Sequence, residues 1–329
     1  MSRIVEIGDD LTRAADEINR GQLVAMPTET VYGLAANALN PLAVARIFEA
    51  KQRPEFDPLI VHIASYDSLE LIAKNIPEIA RKLMDQFWPG PLTLVFPKTE
   101  AVPDLVTSGL NTVAVRMPDH PLALQLIRDA RCPLAAPSAN LFGRTSPTTA
   151  QHVADQLGDR LAYILDGGPC KVGIESTIIS IENERLSLLR PGGITIEQLQ
   201  DVLGPGTIEI PNFDTTSEEH PVAPGQLKEH YAPLTPLIIQ QQLIRPDRGQ
   251  RIGLLTLQLP EASHQNMPET FETIEELSAT GDLTEAASNF FAAIRRLDAE
   301  NLDLILATPF PSHGLGLALN DRLNRAAHR

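Results

Sequence analysis

Five cationic side chains lie where predicted strands or helices give way to loops, each close to glycine, proline, serine or threonine. They are Lys51, Arg53, Arg116, Arg144 and Arg190. An arginine fork matches the geometry of phosphate or carboxylate, and a lysine ammonium acts as a point charge. Any one of these cations could serve only to solvate the surface. Several of them together favour a site for an anionic, phosphorylated ligand.

The stretch 51–62 concentrates this chemistry. Lys51 and Arg53 close a predicted helix, and two prolines then keep the backbone extended, because proline fixes its own φ and disfavours helix in the preceding residue. A short apolar run leads to His62. A histidine among apolar neighbours is more often a core residue than a ligand, and Asp57 is by default a local turn partner.

Hydroxyl side chains occupy several points where predicted strands meet loops. They are Thr28, Thr30, Ser138, Ser146, Ser176 and Thr177. They could donate to phosphate oxygens or bind a metal through water, but serine and threonine also serve in caps and turns. For Ser146, which precedes a proline and a predicted helix, capping is the favoured interpretation. Asn140 is a turn partner by default.

Composition limits the function classes. The 329 residues carry a net charge of −15, and aromatic residues make up 5%. A broad basic surface or an extensive stacking platform for nucleic acid is therefore disfavoured, whereas a local basic pocket is compatible with these values. Cys132 and Cys170 form neither a disulfide framework nor a zinc-ligand set. With no signal-peptide core and no long apolar run, the sequence predicts a soluble cytoplasmic protein.

The common catalytic signatures do not occur. The sequence contains no G-x-x-x-x-G-K-[ST], G-x-S-x-G, H-E-x-x-H or C-x-x-C motif. A bound nucleotide would therefore not be held in the Walker manner, and no covalent nucleophile is indicated.

The elements that must position these groups form two domains separated by a linker. Residues 1–205 mix hairpins with crossover helices, which predicts an α/β domain with a mixed sheet. Residues 206–236 are rich in proline and have no sustained period, which is typical of a linker or a covering loop. Residues 237–329 alternate strand and helix, which predicts a small parallel, Rossmann-like domain.

Six short segments carry a resemblance to a known family. They are 27–34, 51–54, 58–62, 138–140, 175–177 and 189–192. They resemble the motifs of the YrdC-like domain of threonylcarbamoyl-AMP synthases. Residues 230–233 and the second domain resemble the long, two-domain form of that family. The implied fold is a YrdC-like mixed, twisted sheet with helices, followed by a small Rossmann-like domain.

The resemblance implies an ATP-dependent nucleotidyltransferase that makes threonylcarbamoyl-AMP from L-threonine, bicarbonate (or CO2) and ATP, releasing pyrophosphate. The product would pass to a tRNA threonylcarbamoyl transferase, which modifies adenosine 37 of tRNAs that read ANN codons. Mg2+ would bridge the ATP phosphates, with no protein ligand assigned to it.

The resemblance also implies roles for individual residues. Lys51 and Arg53 would act in catalysis. The implied ATP contacts are Lys51, Arg53, Asp57, Thr112, Ser138, Asn140, Ser146, Arg190, His230 and Tyr231. The implied threonine and carbamate contacts are Thr30, His62, Arg116, Ala136 and Ser176. Arg116 suits the threonine carboxylate, and His230 and Tyr231 on the linker would close over the nucleotide.

Two positions depart from the family pattern. Asp57 stands where the family commonly has asparagine, and an acid there should repel phosphates unless it faces Mg2+ or a cation. Residues 225–228 also differ from the usual linker motif of the family. The resemblance therefore gives little support for a role of Lys228.

Two other functions remain open at this point. One is a module that binds double-stranded RNA or tRNA, whose affinity should fall steeply with salt. The other is a carbamoyl-phosphate-using enzyme of the hydrogenase-maturation class. That class needs zinc fingers, which two cysteines cannot build.

Overall fold

The computed structural model describes residues 5–182, 185–211, 230–241, 249–259 and 271–327. The chain divides into two compact units. The first contains Met1–Phe142, Ser146–Lys171 and Glu175–Leu227; the second contains Gly143–Thr145, Val172–Ile174 and Lys228–Arg329. Of the predicted linker, residues 212–229, including Lys228, lie outside the described residues.

The first unit is built on a mixed sheet. Its described strands are β1 (Ile7–Gly8), β2 (Val24–Met26), β3 (Gly33–Asn37), β4 (Ile60–His62), β5 (Leu92–Pro97), β6 (Thr112–Arg116), β7 (Leu134–Ala135), β8 (Tyr163–Leu165), β9 (Thr177–Glu182), β10 (Arg185–Arg190) and β11 (Ile208–Glu209). They lie in the order β1-β8-β2-β3-β7-β4-β6-β5-β9-β10-β11. The sheet contains both parallel pairs, such as β4 and β6, and antiparallel pairs, such as β5 and β6, which confirms the predicted mixed sheet.

Helices cover this sheet and supply its crossovers. The described α-helices of the first unit are α1 (Leu11–Asn19), α2 (Pro41–Lys51), α3 (Tyr66–Ile72), α4 (Glu78–Phe87), α5 (Asp104–Thr107), α6 (Pro121–Ala130), α7 (Ala150–Leu157) and α8 (Ile196–Leu203). The predicted start of α2 is confirmed, because the Asn40 side chain accepts from the first-turn N–H groups and Pro41 is the first helical residue. The sequence analysis did not predict α3.

The capping interpretation of Ser146 is wrong. The cap of α7 is Thr149, whose hydroxyl accepts a hydrogen bond from the backbone N–H of His152. Ser146 instead donates its hydroxyl proton to a glutamate on another loop, Glu175. Both serine and threonine can cap, and the helix begins later in the chain than the proline at position 147 suggested.

The second unit contains a parallel sheet. Its strands β12 (Leu237–Ile239), β13 (Ile252–Thr256), β14 (Thr273–Glu276) and β15 (Leu304–Ala307) lie in the order β12-β15-β13-β14, together with α9 (Leu283–Ala299) and α10 (Gly316–Ala327). The parallel pairing confirms the predicted small Rossmann-like arrangement, to which the structure adds β14. Within the described ranges, no helix has the combined length and apolar character that a membrane crossing requires.

Candidate active site

Lys51 ends α2 with its side chain buried. Its Nζ donates to the carbonyl oxygens of Ser138 and, at 2.6 Å, Asn140, and the residue is only 1% exposed. Burial, followed by the nearby positive charge of Arg53, holds the pKa of Lys51 well below its ordinary value. An ammonium group has three N–H donors, and in the described part of the chain these carbonyls take two of them. The third is available to a further acceptor such as a phosphate oxygen.

Arg53 and Asp57 form a buried ion pair. Arg53 Nη2 lies 2.8 Å from Asp57 Oδ1, and the guanidinium also donates to the backbone carbonyls of Asp57 and Pro58. Asp57 is 0% exposed. The acid at this unusual position therefore faces a cation. Burial raises the pKa of Asp57, and the positive charges of Arg53, Lys51 and Arg190 oppose that rise.

A second cluster joins the start of β9 to the end of β10. Arg190 Nη2 donates to the Ser176 carbonyl at 2.9 Å and to the Ser176 hydroxyl at 3.1 Å. The Ser176 hydroxyl also shares a 2.7 Å hydrogen bond with Thr93. Beside it, Ser146 donates to Glu175 Oε1 at 2.6 Å. These bonds bring Ser146, Ser176 and Arg190 to one place in the first unit.

Gly192 makes this second cluster possible. A Cβ at this position would lie 2.3 Å from the carbonyl oxygen of Glu175 and 2.4 Å from the carbonyl carbon of Ser176. Only glycine lets the chain after Arg190 pass this close to the backbone. The motif 189–192 therefore aligns the guanidinium of Arg190 with the Ser176 carbonyl.

The two clusters lie within electrostatic range of each other. The negative charge of Glu175 acts on Lys51, and the positive charge of Arg190 acts on Asp57. Three buried cations therefore share this part of the first unit with two buried carboxylates, each already bound by a side chain. An arrangement of this kind can neutralise further negative charge on a bound ligand.

Arg116 is the centre of a third cluster. Its Nη1 donates to Thr30 Oγ1 at 2.8 Å, its Nη2 lies 2.6 Å from Glu29 Oε1, and its Nε donates to the Gly90 carbonyl. His62 lies directly opposite Arg116 in the parallel register of β4 and β6. The structure thus brings Thr30, His62 and Arg116 together.

The other predicted residues of the first unit are Ala136, Ser138 and Thr112. Ala136 donates its backbone N–H to Ile60, and Ser138 pairs with Gly33. Thr112 lines a cavity of about 860 Å³ together with Val95, Leu189 and neighbouring residues. This volume lies in the range of small-molecule and cofactor sites. Its lining includes Glu182 and Glu209 and none of the three buried cations, so the cavity does not by itself mark the nucleotide site.

His230 and Tyr231 belong to the second unit. Tyr231 is buried, with its ring centre 5.4 Å from that of Phe291 and 5.5 Å from the Arg322 guanidinium carbon. Its carbonyl accepts a hydrogen bond from Thr145. The second unit therefore fixes the position of Tyr231. The predicted ATP contacts of His230 and Tyr231 stay predictions.

The sequence analysis assigned no role to Glu29 or to the Glu175 side chain. Both bind predicted site residues directly, Arg116 and Ser146 respectively. The available signal was their placement: each glutamate is followed by a buried hydroxyl residue at a strand end. A charge in such a segment must be paired when it is buried.

No cluster of three or more metal-ligating His, Cys, Asp or Glu side chains occurs among the residues that the structure describes. Asp57 and Glu175, the carboxylates nearest the cations, are bound by Arg53 and Ser146. These residues do not fit a resident Mg2+ site.

His62 predicts a pH-dependent stability. Burial, followed by the charge of Arg116, lowers the pKa of His62 to about 3, so the folded protein keeps this imidazole neutral. In the unfolded chain the His62 imidazole binds a proton below about pH 6.5. His62 therefore does not lower the free energy of unfolding above that pH, and lowers it progressively as the pH falls towards 3. We expect His62 to lower the free energy of unfolding by about 3 kcal/mol at about pH 4.5, relative to neutral pH.

The test compares urea unfolding of the wild-type protein and His62→Gln between about pH 4.5 and 7.5. The glutamine variant should lose less free energy of unfolding on acidification, because it has no imidazole to protonate. His313→Gln is the control, since His313 lies in the second unit and is exposed. Equal losses in the wild type and His62→Gln would contradict the prediction.

Comparisons with known proteins cover both units. The family model described as telomere recombination (Sua5, YciO, YrdC) matches residues 16–192, and the model of the threonylcarbamoyl-AMP synthase C-terminal domain matches residues 194–328. The threonylcarbamoyl-AMP synthase of Bacillus subtilis (strain 168) is 44% identical over 98% of this chain and 96% of its own length. The threonylcarbamoyl-AMP synthase of Pyrococcus abyssi is 44% identical over 95% of this chain and 93% of its own length.

A solved structure gives the same result. Sua5 of P. abyssi, crystallised in complex with L-threonine, superposes with a TM-score of 0.88 at 41% identity. The match covers 99% of this chain and 97% of that one. The agreement thus extends over both units and their order along the chain. The chain belongs to the threonylcarbamoyl-AMP synthase family.

Proposed function

We propose that this protein catalyses the formation of threonylcarbamoyl-AMP and pyrophosphate from L-threonine, bicarbonate and ATP. The observation that carries the proposal is the group of three buried cations, Lys51, Arg53 and Arg190. Arginine and lysine side chains bind phosphate oxygens through charge-assisted hydrogen bonds, and cations fixed in a buried site can neutralise the charge of a bound phosphate. The triphosphate of ATP carries the negative charge that such a group of cations can bind.

The third cluster suits an amino acid. Its Arg116 guanidinium has N–H groups beyond those that bind Thr30, Glu29 and Gly90, and these can bind a carboxylate. His62 is neutral there and can exchange hydrogen bonds with a hydroxyl or a carbamate. The complex of P. abyssi Sua5 with L-threonine supports threonine as the substrate. Ala136 and Ser176 complete the proposed contacts.

The chemistry then proceeds in two steps. The amine of threonine adds to bicarbonate or CO2 and forms a carbamate. A carbamate oxygen attacks the α-phosphorus of ATP, and pyrophosphate leaves. The contribution of the protein is to position the reactants and to neutralise charge. ATP enters as its Mg2+ complex, in which the metal belongs to the substrate.

The proposed product is a mixed anhydride that water destroys, so it must be consumed soon after release. A tRNA threonylcarbamoyl transferase that modifies adenosine 37 is the proposed acceptor of the product. The proposal also places the protein in the cytoplasm and includes a weak direct contact with tRNA. Direct tRNA binding, if it occurs, should weaken steeply with salt, whereas ATP turnover should change less.

The decisive assay measures pyrophosphate released from MgATP in the presence of bicarbonate, with and without L-threonine. We expect release to depend on both threonine and bicarbonate, and mass spectrometry to detect threonylcarbamoyl-AMP. Two controls omit bicarbonate or replace threonine by its mirror-image isomer. Pyrophosphate release that is the same with and without threonine would refute the proposed function.

A further inference from the structure

Glu29 is a buried acid that the proposed reaction leaves without a role. The residue is 5% exposed, and its Oε1 lies 2.6 Å from Arg116 Nη2. Its other oxygen, Oε2, is buried and has no hydrogen-bond partner in the described part of the chain. A buried carboxylate oxygen without a donor is costly. The cost is removed when a bound molecule brings a donor to Oε2.

The neighbouring hydroxyls do not supply that donor. Thr28 donates its single hydroxyl proton to the carbonyl of Val31 at 2.6 Å. The 2.9 Å bond between the Thr28 and Thr30 hydroxyls therefore uses the Thr30 proton. Both protons are thus committed within the loop, while Thr30 still accepts from Arg116. Among the described residues, Oε2 is left for a donor from outside the protein.

Groups on other elements also face Glu29. Arg116 comes from β6, His120 from the start of α6, and Cys170 from the loop after β8. Burial lowers the pKa of His120 and raises that of Cys170; the negative charge of Glu29 acts to raise both, and Lys171 opposes it at His120. Arg116 is the one cation seen in direct contact with Glu29 among the described residues. A second cation, brought by a ligand, would complete the pairing.

An α-amino acid carries a carboxylate and an ammonium group on adjacent carbons. Arg116 and Glu29 present the complementary charges side by side. We propose that Glu29 binds the α-ammonium group of threonine through Oε2 and takes the proton that the amine must lose before it can attack bicarbonate. This inference rests on the proposed function and assigns the proton transfer within it.

The step balances in atoms and charge. The ammonium group passes one proton to the Glu29 carboxylate, which becomes a neutral acid. The freed nitrogen lone pair forms a C–N bond with the carbon of bicarbonate. The C–OH bond of bicarbonate breaks, and the hydroxide leaves as water with a second proton from the nitrogen. The products are the carbamate, water and protonated Glu29, which later returns its proton to solvent.

The test uses Glu29→Gln, which keeps the shape of the side chain and removes its charge. Calorimetry measures the binding of L-threonine and of the threonine analogue in which a hydroxyl replaces the amino group. We expect the wild-type protein to prefer threonine at least about tenfold, because a charge-assisted bond is worth that much. The variant should lose about tenfold or more for threonine and little for the analogue.

Equal weakening of both ligands would overturn the proposal, because it would mean that Glu29 acts only by holding Arg116. The pH profile is a second readout. In Glu29→Gln the rate should rise with pH as threonine itself loses its proton, whereas the wild-type rate should already be near its plateau. A variant with the wild-type rate and profile would also refute the role.

The wild-type protein keeps this test separate from that of the proposed function. Absence of threonine-dependent pyrophosphate release from the wild type refutes the function itself. Release by the wild type together with an unchanged variant refutes only the role of Glu29. If Glu29→Gln does not fold, the wild-type preference decides: equal affinities for threonine and the hydroxyl analogue would overturn the proposal.

Discussion

Replacing Lys51 by methionine is expected to lower the rate of threonine-dependent pyrophosphate release by at least about 100-fold. The Lys51 ammonium ties the end of α2 to the carbonyls of Ser138 and Asn140. Its third N–H is directed by these two bonds and is available to a phosphate oxygen. Methionine keeps the length of the apolar stem and removes both functions.

The Lys51→Met variant should stay folded. Two buried carbonyls lose a donor, which costs about 1–3 kcal/mol each. The variant also removes a buried charge, whose desolvation lowers the pKa of Lys51, and this gain offsets part of the loss. Thermal unfolding should therefore show a folded variant while the pyrophosphate assay shows little turnover.

Lys82→Met is the matched control, because Lys82 is exposed on α4. It should keep the wild-type rate. If Lys51→Met is folded and releases pyrophosphate at the rate of Lys82→Met, then Lys51 does not bind phosphate. Its buried ammonium group would then only hold the carbonyls of Ser138 and Asn140 in place. A higher KM for ATP, with little change in the KM for threonine, would place the defect on the nucleotide side.

Local signals in the sequence predicted much of the fold. Asn40 followed by Pro41 predicts a helix start, where α2 begins. The apolar runs 178–181 and 186–189, joined by the polar residues 182–184, predict a hairpin, which the antiparallel pairing of β9 with β10 confirms. Such features depend on neighbouring residues. The strand order of the mixed sheet could not be derived in this way, because it depends on contacts between residues far apart in the chain.

In the site, too, local features could be predicted and contacts between distant segments could not. Of the cations that the sequence singled out, Lys51, Arg53 and Arg190 lie close together in the first unit, whereas Arg144 belongs to the second. The partners of the site residues were not predicted, since Glu29 pairs with Arg116 and Ser146 with Glu175 across distant segments. Asp57 shows the limit most clearly. The sequence indicated repulsion of phosphate by its charge, and only the folded structure shows that Arg53 faces it.

This pair gives the second large prediction. We expect Arg53→Met to lower the free energy of unfolding by about 3–5 kcal/mol near pH 8, because it leaves the Asp57 carboxylate buried without its partner. Asp57 already has a raised pKa, and Arg53 is the strongest of the charges that oppose the rise. Without Arg53 the pKa of the folded state rises further.

The sign of the pH dependence follows. Asp57 is protonated more readily in the folded variant than in the unfolded chain, so the protonated form stabilises the fold at low pH. The stability is lost as the pH rises through the folded-state pKa. The difference between the wild type and Arg53→Met should therefore grow from acid towards alkaline pH. Other groups such as His62 affect both proteins alike and cancel in the difference.

Adding Asp57→Asn to Arg53→Met separates structure from catalysis. The neutral amide removes the buried charge, so most of the lost free energy of unfolding should return near pH 8. Pyrophosphate release should stay low, because the guanidinium that would bind phosphate is still missing. The single variant Asp57→Asn completes the cycle. A double variant that regains activity together with stability would show that Arg53 serves only as the partner of Asp57. If the double variant is instead no more stable than Arg53→Met, the uncompensated charge of Asp57 is not the cause of the defect.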